Sequence, residues 1–143
     1  MTFVACFAMM FGSCQKELEL SGTTWKATQT ESDTYDGITS SMTMDCILKF
    51  ADATNGSLDM TMSGSVNMGG MTQELDPQTQ TANFTYTFDG TNGTMTAIDD
   101  ETGEYETIPF TYNKKDKAIL ISVKEPGEQG EPDFELNLVF TQE

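Results

Sequence analysis

Apolar and polar residues alternate along most of the chain with the period of two that is typical of β-strands. The clearest run extends from Met42 to Phe50, in which every second residue is apolar. No segment has the 3.6-residue period of an amphipathic helix. The pattern predicts eight strands, at residues 23–30, 41–50, 57–67, 80–88, 93–99, 104–112, 117–124 and 133–142.

Short connections rich in Gly, Asn and Asp separate most of these strands. The pairs Asn55-Gly56 and Asn92-Gly93 predict hairpin turns in which these residues take positive φ. Because short connections join antiparallel neighbours, the strands are expected to form a meander. With one apolar face per strand, the sequence predicts an all-β fold, a single antiparallel up-and-down eight-stranded β-barrel. Residues 31–40, 67–77 and 125–132 are expected to be loops that cover an opening at one rim.

The interior of such a barrel is just wide enough to be filled by its own side chains or to hold one small molecule. The first hypothesis is therefore a barrel that binds a small, largely apolar ligand. The second is a filled barrel that docks a protein partner in an envelope complex, through its loops or through the seventh strand, where residues 118–123 are apolar on both faces. The candidate ligand-binding residues are Trp25, Met44, Met60, Met62, Phe84, Tyr86, Phe110 and Tyr112.

Methionine and cysteine leave a third possibility open. Six methionines fall between residues 42 and 71, and each Met-x-Met pair on a strand places two thioethers on one face. Clusters of soft sulfur ligands select Cu(I), so copper handling is an alternative to the favoured role in packing or pocket lining. Cys46 shares the apolar face of its strand and is expected to act as a small apolar side chain rather than a reactive or metal-binding thiol.

Composition excludes several function classes. The chain has seven lysines, no arginine and 23 acidic residues, giving a formal charge of −16, which argues against nucleic-acid partners and against attraction to an anionic membrane surface. It has no histidine, which removes Ser-His-Asp and Cys-His catalysis and the usual zinc ligand sets. The acidic hairpin at 99–106 is expected to be a solvated turn rather than a calcium site or a catalytic carboxylate pair. The prediction is a protein that is not an enzyme and has no cofactor.

The first residues have the pattern of an export signal. Residues 2–11 are almost entirely apolar, Gly12-Ser13 follows, and Cys14 precedes a polar segment at 15–19. A cysteine at that junction resembles the lipobox of bacterial lipoproteins, which implies that Cys14 carries a lipid after removal of the signal. Because no Lys or Arg precedes Cys14, the true start is expected upstream of Met1; the alternative is a buried N-terminal strand. The predicted domains are a lipoprotein signal peptide at 1–13, a lipidated tether at 14–21 and a barrel at 22–143.

The start of the barrel adds a second resemblance. The segment Leu20-Ser21-Gly22-Thr23-Thr24-Trp25-Lys26, followed by a meander of eight strands, resembles the lipocalin-like (calycin-type) barrels. It is especially similar to small lipocalin-like lipoproteins of Bacteroidetes-type bacteria. The resemblance implies an outer-membrane lipoprotein of the cell envelope, held to the membrane by its N-terminal lipid, and the acidic segment at 15–19 resembles the tether of surface-exposed members.

Overall fold

The protein forms a closed antiparallel β-barrel. The computed structural model describes residues 18–143, so the predicted signal peptide and Cys14 lie outside the described residues. Each strand pairs with the next, and the eighth pairs with the first, which confirms the predicted all-β eight-stranded barrel. The strands are β1 (Thr24–Tyr35), β2 (Ile38–Phe50), β3 (Asn55–Met68), β4 (Met71–Phe88), β5 (Asn92–Ile98), β6 (Tyr105–Asn113), β7 (Ala118–Glu125) and β8 (Phe134–Gln142). Within residues 18–143 no helix is long and apolar enough to cross a membrane.

The first four strands are longer than the last four. They have 12 to 18 residues, whereas β5–β8 have 7 to 9. β1 pairs with β8 only at Trp25 and Lys26, and β4 pairs with β5 only from Phe84 to Phe88. The far parts of β1–β4 therefore project beyond the barrel as a four-stranded sheet. This sheet, residues 29–44 and 62–78, is called the extension below.

The extension corrects two of the predicted loops. Residues 31–40 and 67–77 are mostly strand, and tight turns at Asp36-Gly37 and Gly69-Gly70 join the hairpins with all four residues at positive φ. Their polar composition suggested loops because one face of these strands is exposed to water throughout. The third predicted loop is confirmed, since residues 126–133 connect β7 to β8.

The core occupies one end of the barrel, called the closed end, where the connections after β2, β4 and β6 meet. The opposite, open end carries the two extension turns and the connections 99–104 and 126–133. Phe50 lies at the centre of the core, with its ring centroid 4.7 Å from that of Tyr86 and 6.0 Å from that of Phe110. The largest fully buried side chains are Trp25, Cys46, Leu48, Phe50, Phe110, Ile119 and Phe140. Those of β2 lie on the apolar face that the alternation at Met42–Phe50 predicted.

The Asn-Gly turns differ from the prediction. Gly56 and Gly93 are the second residues of β3 and β5, and neither has positive φ, so the predicted left-handed conformation there is wrong. The preceding turns are closed instead by aspartate. Asp52 Oδ1 accepts hydrogen bonds from the N–H groups of Thr54 and Asn55, both at 2.8 Å. Asp89 Oδ1 does the same for the two residues at 91 and 92. This is the local pairing that makes aspartate a strong turn former.

The chain enters the barrel through the segment before β1. Trp25 Nε1 donates to the Thr23 hydroxyl at 2.8 Å, and that hydroxyl donates to the Leu20 carbonyl at 2.5 Å. Gly22, at φ 78°, donates its N–H to the Phe50 carbonyl at 2.7 Å. Leu20 is 2% exposed and packs in the core, so the barrel includes a residue that the sequence placed in the tether.

Candidate functional site

The predicted ligand-binding residues fall into two groups, of which the first lies in the packed closed end. Trp25, Phe84, Tyr86 and Phe110 are at most 7% exposed. The Trp25 ring meets that of the half-buried Tyr112 edge to face at a centroid distance of 6.0 Å. These side chains contact one another and fill the barrel, so their position favours a structural role.

Tyr86 shows how the closed end is fixed. Its hydroxyl donates to the Asp52 carbonyl at 2.5 Å, which ties the core to the β2–β3 turn. Burial, and secondarily the Asp52 carboxylate, raises the pKa of Tyr86, so the phenol remains protonated and able to donate. The arrangement stabilises the turn and does not activate the phenol as a base.

The second group lies where the barrel passes into the extension. Met44 and Met60 are partly buried, and Met62 is 45% exposed. Met44 is directly opposite Met62 in the β2–β3 pair, and Cys46 is directly opposite Met60. Residues paired in this way place their side chains on the same face of the sheet. The structure therefore brings the three predicted methionines together, and Met44 and Met60 also pack against the edge of the core.

Of these sulfur-containing residues, Cys46 is the most deeply buried and lies next to the core. It is 1% exposed, as expected for a small apolar side chain. Burial, and to a smaller extent the charge of Asp45, raises the pKa of the Cys46 thiol. A protonated, buried thiol is a poor nucleophile.

Apolar side chains continue outward from the barrel along the inner face of the extension. The β2–β3 pairing shows that the inward-facing positions of these strands continue beyond the closed barrel and include Ile38, Met42 and Val66. Met42 is 47% exposed and Leu75 46%. The other apolar side chains on this inner face are Tyr35, Ile38, Met62, Val66, Met68 and Met71. The result is an accessible apolar surface, in contrast to the filled closed end.

A β-bulge in β4 completes this surface. Met62 pairs with Gln78, whereas Gly64 pairs with Leu75, so β4 has one additional residue there. The additional residue reverses which β4 positions face inward, and this places Leu75 beside Met42 and Val66. Pro77 lies within the bulge on the free edge of the sheet, where its missing N–H breaks no ladder hydrogen bond.

The outer face of the same four strands is polar. Cross-strand hydroxyl pairs join Thr30 to Thr43, Thr34 to Thr39 and Thr61 to Thr79 at 3.0–3.1 Å. Such pairs satisfy one another and remain hydrated. The outer face of the extension is thus hydrated, whereas the inner face exposes methionine and aliphatic side chains.

A cavity of about 440 Å³ lies on the inner face of the extension. Its size falls in the range of small-molecule sites. Met42, Val66 and Leu75 supply apolar walls, and Glu31 and Asp33 of β1 supply carboxylates. The remaining lining residues are Ser32, Ser40, Ser41 and Ser65. Close to it, Gln29 Nε2 donates to Glu31 Oε1 at 3.2 Å, and Gln29 Oε1 is buried without a hydrogen-bond partner.

Two other cavities are less suited to a ligand. One of about 920 Å³ lies at the closed end, where the polar residues Glu19, Ser21 and Asp89 form part of its lining. The other, about 380 Å³, lies outside β6–β8, where Leu120 and Val139 are directly paired and 37% and 54% exposed. The seventh strand was predicted to offer an apolar docking surface for a partner. Ile119 and Ile121 of this strand are buried, so its exposed apolar surface is limited to Leu120.

The acidic hairpin at 99–106 is organised as a turn. Asp99 Oδ1 accepts a hydrogen bond from the N–H of Glu101 at 2.8 Å. This bond, and to a smaller extent the bond from the N–H of Thr102, lowers the pKa of Asp99. Among residues 18–143 there is no group of three or more His, Cys, Asp or Glu side chains placed to hold a metal ion.

No protein-family model, curated protein or solved structure matches the chain. Fold and site together define the class: a closed eight-stranded antiparallel β-barrel with a packed end and an open, methionine-rich end. Sequence reasoning missed Glu31 and Asp33 because they fall in a predicted loop. It missed Leu75 because that residue also falls in a predicted loop, at 67–77, and the bulge that turns it inward has no local sequence signal.

Proposed function

We propose that the protein is a non-enzymatic, lipid-anchored β-barrel that binds a small, largely apolar ligand on the inner face of the extension. The observation that carries the proposal is the exposure of Met42, Met62 and Leu75 beside a cavity of about 440 Å³. Methionine suits such a site because its unbranched thioether side chain adapts to ligands of varied shape.

The proposed location is the cell envelope, with the barrel held at the outer membrane through a lipid on Cys14. Leu18 packs against the core at the closed end. Leu18 follows Cys14 by four positions, so the two lie at most about 14 Å apart in a fully extended chain. A lipid on Cys14 would therefore hold the closed end near the membrane and direct the extension away from it, toward soluble ligands.

Binding can be tested with Nile red, a neutral apolar dye that fluoresces on leaving water. The full-chain Cys14→Ser protein should bind the dye with saturation, and Met62→Glu should weaken this binding because it places a charge on the apolar face. Leu120→Glu is the matched control on the outer face of the barrel, and it should leave binding unchanged. Equal loss in both variants, or no saturable binding, would reject the proposed site.

Copper handling is a second candidate, favoured by the direct pairing of Met44 with Met62 and of Cys46 with Met60. These residues place four soft sulfur ligands next to one another on one face. Competition for Cu(I) against a colorimetric chelator tests the idea. The Met44→Leu/Met62→Leu variant should lose the metal, and Met95→Leu, which alters a buried core methionine, should not. Failure of the unmodified protein to compete with a chelator of micromolar affinity would exclude copper handling.

A further inference from the structure

The cavity in the extension is acidic as well as apolar. Glu31 is directly opposite Met42 in the β1–β2 pair, and Asp33 follows two residues along on the same face. Both carboxylates line the cavity together with Val66 and Leu75. Neither forms an ion pair with another residue of the described chain.

Positive charge is concentrated away from this cavity. No Lys or Arg occurs at positions 27–48 or 50–113, which include nearly all of β1–β4. Lys26 and Lys49 lie near the closed end and pair with Glu143 and Asp59. Three further lysines, Lys114, Lys115 and Lys117, stand in the β6–β7 connection at that same end.

The open end, by contrast, is surrounded by acidic residues. The connections at 99–104 and 126–133 add carboxylates to those of β1, and within the described range Lys124, 3.9 Å from Asp133, is the single lysine there. The summed field around the cavity is therefore negative, and it attracts cations and repels anions.

We propose that the ligand is a cationic amphiphile whose apolar body packs on Met42, Val66 and Leu75 and whose positive group lies at Glu31 and Asp33. This inference rests on the proposed function and specifies its ligand class. A neutral apolar ligand that covered the two carboxylates would remove their water without replacing it, which is unfavourable. A cationic group offsets that loss. For partly hydrated ion pairs the gain over a neutral analogue is expected to be about 3- to 10-fold in affinity.

The test compares three probes that share one apolar body: decyltrimethylammonium, decyl glucoside and decyl sulfate, each below its micelle-forming concentration. Each probe is titrated as a competitor of Nile red on the full-chain Cys14→Ser protein. The cationic probe should displace the dye at the lowest concentration and the anionic probe at the highest. This ranking should weaken as salt is added, because the charges are exposed.

Two double variants locate the effect. Glu31→Gln/Asp33→Asn should remove the cationic preference and leave displacement by decyl glucoside unchanged. The control, Asp45→Asn/Glu74→Gln, removes the same charge from the outer faces of the neighbouring strands β2 and β4 and should keep the preference. Equal displacement by the cationic and neutral probes, or equal loss in both double variants, would overturn the inference and leave the proposed function standing. Displacement by none of the probes would also overturn the inference, and absence of saturable Nile red binding would reject both it and the proposed function.

Discussion

Gly56 and Phe84 are directly opposite each other in the β3–β4 pair, and the phenyl ring covers the glycine. A Cβ atom at position 56 would lie 2.5 Å from Cζ of Phe84 and 2.5 Å from the backbone oxygen of Lys49. Gly93 has the same relationship to Phe110 in the β5–β6 pair. An aromatic ring packed over a strand glycine replaces the missing side chain and fills the core beside it.

Replacement of Gly56 by alanine should therefore destabilise the barrel by about 1–3 kcal/mol, the usual cost of overpacking a filled core. Urea unfolding measures the change, with Ser57→Ala as a control at the neighbouring half-buried position. Gly56→Ala/Phe84→Leu should recover part of the loss, because the smaller side chain yields space. Wild-type stability of Gly56→Ala would show that the ring does not constrain this position.

Asp89 should give the closed end a pH-dependent stability. The backbone N–H groups of Asn92 and Thr91 hold the pKa of Asp89 below its ordinary value. Because the native pKa lies below the unfolded value of about 3.9, the carboxylate stabilises the fold above about pH 4. That contribution is lost as the pH falls through the native pKa.

The Asp89→Asn variant keeps an acceptor oxygen but has no charge to titrate. Its melting temperature should be lower than that of the wild type at neutral pH, and the two should converge in strong acid. A difference that stayed constant across the titration would show that the Asp89 charge does not stabilise the turn.

Cys46 should react slowly with thiol reagents in the folded protein. It is buried and its raised pKa leaves little thiolate. In the Cys6→Ser/Cys14→Ser protein it is the remaining cysteine, so colour development with Ellman's reagent reports on it alone. The rate should rise to that of a free thiol in denaturant. Fast reaction without denaturant would contradict the packed junction between barrel and extension.

Acylation of Cys14 can be tested in a bacterial host that is given an alkyne-labelled fatty acid. Cys14→Ser should abolish the label and release the protein into the soluble fraction. Cys46→Ser is the matched control and should keep both the label and membrane association, because Cys46 lies inside the barrel. Label on the Cys14→Ser protein would refute the anchor.

The fold was predictable because it depends on a local pattern. The alternation at Met42–Phe50 identified both strand and inward face, and the short connections implied a meander. The conformation of Gly56 and Gly93 was not predictable in this way, since it depends on a ring contributed by another strand. Local sequence supports either a left-handed turn or a glycine under an aromatic ring, and only the pairing with Phe84 and Phe110 decides between them.

The candidate site was predicted less well than the fold. The sequence indicated Met44, Met60 and Met62 as inward residues, and the structure brings them together. Trp25 and Phe110 follow the same alternation, but they lie at the filled end. Periodicity identifies the face on which a residue lies, not its height along the strand, and the unequal strand lengths determine which part of the interior is accessible.

The central claim is that ligands bind to the inner face of the extension and not within the packed core. Methionine methyl NMR tests this directly, because each methyl group gives a separate signal. Addition of decyltrimethylammonium to the Cys14→Ser protein should shift the signals of Met42 and Met62 and leave that of Met95, 5% exposed in the core, unchanged. Shifts at Met95 without shifts at Met42 and Met62, or no shifts at any methionine, would contradict the claim.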